Sequence, residues 1–164
     1  MSEIIQFTTL ARVKSLREQK ALEALQKARR AVADAEARLA KLTDEIAESA
    51  ATLPDRIHAL YQDIVGETVD LPAIDMVAHR AAKLEAAHQR LEDRRARAEH
   101  KLVELRGKAD EAADAYRRAQ TEREKYDGLL DDMKSEREGL VIAKEEAEIE
   151  DLFARPRARP GDAA

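Results

Sequence analysis

The chain has no cysteine and no tryptophan, and its 164 residues include only two phenylalanines, three tyrosines, five glycines and four prolines. Each shortage removes a class of protein. Without cysteine there are no disulfides, thiolate zinc sites or cysteine nucleophiles, a composition that fits a reducing compartment. The aromatics are few and 32 of the apolar residues are alanine, so a compact core of native density is hard to fill. An ordinary globular enzyme is not expected, and a sheet still less. No apolar run approaches the roughly 18 residues of a membrane span. No basic region precedes an apolar stretch near Met1, so a cytoplasmic location is expected. A net charge of −5 gives no bulk attraction to nucleic acid or anionic lipid.

What is abundant is helix-forming. Ala, Leu, Lys, Arg and Glu make up about 60% of the chain, the composition of a coiled coil or long helix. The apolar residues alternate steps of three and four. One seam runs through Leu25, Val32, Leu39, Leu42, Ile46 and Leu53, and after a stutter it continues at Ile57, Leu60 and Ile64. A second runs in unbroken register from Ala81 through Leu84, His88, Leu91, Leu102, Leu105, Tyr116, Arg123, Tyr126, Leu130 and Met133 to Leu140. Between them lie Gly66 and Asp70-Leu71-Pro72, a helix stop followed by a helix start. Leu53 with Leu84, Ile46 with Leu91, Val32 with Leu105 and Leu25 with Ala112 all have position numbers summing to 137. Their centre falls inside that turn.

The predicted fold is therefore all-α: an elongated antiparallel two-helix coiled-coil hairpin, forming one unit over 1–154. Helix one is expected over about 3–65, the turn over 66–71 and helix two over 72–153. Pro54 coincides with the stutter, and Thr52 and Asp55 are placed to cap a restarted helix, so a kink or short break is expected near 50–54. The tail 155–164, with Arg155, Arg157 and Arg159 among two prolines, is expected to be disordered. Residues 11–41 carry +5 and residues 122–151 carry −7, so the two ends of the chain attract one another when it folds back. Two features strain the simple hairpin. The register sets Lys14 opposite Arg123, and everything after about Met133 lacks a partner on helix one.

No catalytic constellation is present, and none is expected: no P-loop, no GxGxxG and no HExxH. The four histidines share no i, i+4 spacing for a metal, and no cofactor is implied. His88 falls opposite Ser49, where a polar layer fixes register. What remains are interaction surfaces. Leu60, Tyr61, Ile64, Val65, Val69 and Ile74 crowd around the turn, as a local cap or a docking site. At the other end Arg12, Val13, Lys14, Leu16, Arg17 and Lys20 are not used by the seam.

Several of these residues resemble a known family. The run Leu10-Ala11-Arg12-Val13-Lys14-Ser15-Leu16-Arg17-Glu18, with Ala21-Leu22 and Ala28-Arg29 after it, is similar to the N-terminal signature of the YscO-like (FliJ-like) stalk proteins of bacterial type III secretion. Leu60-Tyr61-Gln62-Asp63-Ile64-Val65-Gly66, leading to Val69-Asp70-Leu71, resembles that family's hairpin tip. Arg123-Glu124-Lys125-Tyr126 and the Glu-rich stretch 145–151 resemble its C-terminal helix. The resemblance implies a non-enzymatic, monomeric coupling rod. One end sits in the hexameric secretion ATPase and the rest reaches an export-gate protein at the cytoplasmic face of the inner membrane, with secretion chaperones as further partners. It makes Arg12, Val13, Lys14, Leu16, Arg17 and Lys20 the ATPase-binding set. Rival readings are a generic scaffold or dimerisation module and a helical holdase. A nucleic-acid partner is not expected.

Overall fold

The computed structural model describes residues 2–154, which form two helices, α1 (Ser2–Gln62) and α2 (Leu71–Ala154), with no strand among them. The helices pair antiparallel. They fall into two compact units: a turn unit of Glu23–Asp114, and a termini unit joining 2–22 to 115–154. The tail expected to be disordered lies outside the described residues.

The turn is built by local chemistry. α1 stops at Gln62, three residues before the expected end, because its last orphan carbonyls tighten into i→i+3 bonds. The amide of Ile64 donates to the Tyr61 carbonyl at 3.2 Å, and that of Val65 to the Gln62 carbonyl at 3.3 Å. Gly66 then takes φ = +82°, a left-handed conformation that side chains resist. Asp70 caps α2: its Oδ1 accepts from the Ala73 amide at 3.1 Å, with Pro72 in the first turn, where its missing N–H costs nothing.

Pro54 does not break α1, which is helical on both sides of it. Thr52 is not a cap either. Its hydroxyl donates back to the Glu48 carbonyl at 3.0 Å, within the continuous helix. The seam explains why the helix persists through a residue that costs ~3 kcal/mol in a helix interior. Ile46 is buried and Leu53 half-buried before the proline, and Ile57 and Leu60 are half-buried after it, holding both sides in one register.

In the turn unit Leu25, Ala35, Ile46, Val77, Ala81 and Leu102 are buried. Val32, Leu39, Leu42, Leu53, Leu84, Leu91 and Leu105 are half-buried. None is wholly enclosed, as two helices can cover a side chain only partly. Each gives a fraction of the roughly 1.5–3 kcal/mol of full burial, and stability accumulates by repetition. Ser49 Oγ and His88 Nδ1 meet at 2.8 Å within the seam, and His88 Nε2 lies 3.3 Å from Glu92. Beside the seam, Arg106 bonds Glu36 at 3.2 Å.

In the termini unit Ala11 and Leu130 are buried, and the rings of Phe7 and Tyr126 stack at a tilt with centroids 6.3 Å apart. The expected like-charge layer is dissolved by neighbouring acids. Lys14 pairs with Glu122 at 3.2 Å and lies over the Tyr126 ring, 5.0 Å from its centre. Arg123 is bonded to Glu18 and, at 3.1 Å, to Asp127. From Lys134 onward every described residue of α2 is exposed.

Candidate partner-binding surfaces

The helical period sorts the α1 residues of the termini unit into two sets. Ala11, Lys14 and Glu18 turn towards α2. Arg12, Val13, Leu16, Arg17 and Lys20 are exposed, Leu16 by 57%, and the three cations take no part in the ion pairs just described. Lys14 therefore departs from its set. The register sets it opposite Arg123, yet its side chain is only 17% exposed and already neutralised by Glu122. Arg123 is held more firmly still. Its pKa is raised above the ordinary arginine value, first by the hydrogen bond to Glu18 and then by that to Asp127. The Lys14–Glu122 and Glu18–Arg123 pairs bind the helices together, and the residues next to them in sequence face away.

The exposed stretch of α2 carries apolar groups that sequence reasoning did not single out. Val141, Ile142, Ile149, Leu152 and Phe153 are all at least half exposed. Their spacings of one, eight, eleven and twelve from Val141 place them along one side of a helix. That signal was available but hidden, because the heptad register ends at Leu140, which is itself 72% exposed. The displaced stripe begins in an open groove of about 470 Å³, where Ile4 meets Lys134, Arg137, Glu138, Val141 and Ile142.

Around the turn, the six expected residues split evenly. Leu60, Ile64 and Val69 are half-buried and close the end of the seam, while Tyr61, Val65 and Ile74 are exposed. Leu71 and Met76 are exposed beside them, and Val77 is buried. The turn is thus partly a cap and partly an exposed apolar patch. Asp63, Glu67, Asp70 and Asp75 are interspersed with it, and no Lys or Arg occurs between Arg56 and Arg80.

Among the described residues no group of His, Asp and Glu is arranged to hold a metal ion, and no helix is long and apolar enough to cross a membrane. Residues 7–155 match the family of type III secretion protein YscO. No curated protein matches. The fold is similar to the 2.8 Å crystal structure of type III secretion protein YscO from Vibrio parahaemolyticus, with a TM-score of 0.83 and 21% sequence identity. That similarity covers 92% of this chain and 94% of the other.

Proposed function

This chain belongs to the YscO family of type III secretion proteins, and from that premise we propose that it is the central stalk of the secretion ATPase complex. In this reading it is a coupling element without catalytic activity of its own. The hexameric ATPase grips the termini unit, and an export-gate protein at the cytoplasmic face of the inner membrane is engaged elsewhere, with secretion chaperones as further clients. The observation that carries the reading is the outward stripe of α1. Arg12, Val13, Leu16, Arg17 and Lys20 are exposed cations and modest apolar groups beside an internally neutralised layer. A shaft held in a ring must be gripped yet free to move, which favours charged and weakly apolar contacts over a large dry interface. Lys14 supports the shaft instead, by joining α1 to α2.

The test is Arg12→Glu combined with Arg17→Glu. Helicity and melting should stay close to wild type, while stimulation of the cognate secretion ATPase is lost. Wild-type affinity for the ATPase should fall as salt is raised. Normal stimulation by the double variant overturns the assignment of this stripe.

A further inference from the structure

In the turn unit, charge is divided between the two sides of the seam. Arg38 and Lys41 immediately precede the seam residues Leu39 and Leu42, and Arg90, Arg94 and Arg97 immediately precede Leu91, Arg95 and Ala98. In an antiparallel pair, positions that precede the seam on one helix lie on the same side as those that precede it on the other. Two contacts fix this. Glu36 and Arg106, which follow Ala35 and Leu105, meet at 3.2 Å on the opposite side. A shallow groove of about 310 Å³ brings together Glu45, Glu48, Thr52 and Ala87, all of which precede seam residues. By the same register Arg38 stands across from Arg94, and Lys41 across from Arg90.

Like charges facing across a helix pair work against the fold, whereas the opposite side is served by the Glu36–Arg106 pair. Arg38, Lys41, Arg90, Arg94 and Arg97 are all exposed, and among the described residues none has a carboxylate within 4.0 Å. The patch is also short. Arg90 to Arg97 covers about 10 Å of helix at 1.5 Å per residue. Beyond it on the same side the cations have carboxylates beside them: Lys101 pairs with Glu104 at 3.6 Å, with Asp34 at the same end, and Lys83 shares the end towards the turn with Glu45 and Glu48. An extended polyanion, whether a nucleic-acid strand or a lipid surface, would run past the cations into these acids. A short acidic segment would not. The steps of four and three from Arg90 to Arg94 and Arg97 also match the spacing of carboxylates along one face of an α-helix.

We propose that this side of the turn unit docks an acidic helix of a partner protein. The surface is separate from the α1 stripe assigned to the ATPase, and it stands or falls independently of that assignment.

The probe is an alanine-based helical peptide bearing glutamates along one face, titrated into the full chain at low salt. Binding should weaken as salt rises. Arg90→Glu with Arg94→Glu should bind the peptide about tenfold more weakly, since two attractions become repulsions. The melting temperature should hold or rise, because the same change relieves the facing charges at Arg38 and Lys41. Arg90→Ala with Arg94→Ala adds no new charge and should show a smaller loss in the same direction. Arg12→Glu with Arg17→Glu should bind normally. The proposal is overturned if wild type does not bind the peptide, or if either Arg90/Arg94 variant binds it like wild type. It is equally overturned if the Arg12/Arg17 variant loses as much, or if a single-stranded oligonucleotide or phosphatidylglycerol vesicles bind more tightly than the peptide at matched salt.

Discussion

Single side chains here contribute according to how far two helices can enclose them. Leu102 is only 4% exposed and its sequence neighbour Val103 is 65% exposed. Leu102→Ala should therefore cost about 2–4 kcal/mol, whereas Val103→Ala should stay within about 0.5 kcal/mol in the same urea titration. The polar seam residues obey a different rule. Ser49→Ala removes the partner of His88 Nδ1 and should cost about 1 kcal/mol. Replacing both residues with leucine should raise the melting temperature, because an apolar layer replaces a polar one. At this scale the sequence was readable wherever the heptad ran. It misled at Lys14 and Arg123. Pairing by register alone sets those two cations face to face, whereas long side chains reach diagonally to Glu122, Glu18 and Asp127.

The helices are defined at the turn, where one stops and the other starts. Gly66, Asp70 and Pro72 marked the turn from sequence, because their backbone preferences are local and owe nothing to packing. Pro54 carried an equally plain local signal and was overridden, since the seam on either side outweighs one lost hydrogen bond. Local rules located the turn, and tertiary contacts decided whether the helix broke. The antiparallel register makes a direct prediction. Cysteines replacing Ser49 and His88 should be joined within one molecule by a short bifunctional thiol reagent, and cysteines at 49 and 95 poorly. Preferential linkage between molecules would mean that the seam pairs two chains. The apolar stripe of α2 beyond Leu140 escaped sequence reasoning for a related reason. Its period is helical, but it is out of phase with the seam, so it scattered among polar positions when read in heptads.

Across the whole molecule, the fold was legible because one pattern repeated over most of the chain, while the surfaces were legible only in outline. Composition and periodicity led to two antiparallel helices, and the resemblance led to the YscO family. Which cations are engaged within the chain and which remain exposed depends on side-chain reach, and that required coordinates. One feature of α2 bears on how the protein behaves before it meets any partner. Its last stretch, from Lys134 to Ala154, has every residue exposed, and helices of this length are marginal in water without packing. These turns should open and close far more often than the seam does. Amide hydrogen exchange should be slow over residues 81–112 and fast over 143–153, and a protease of broad specificity should first cut α2 after Met133. A partner that covers Ile149, Leu152 and Phe153 must hold this segment helical, so its arrival should be visible as newly slowed exchange there. The end of α2 would then act as a built-in reporter of occupancy, read in how slowly its amides exchange.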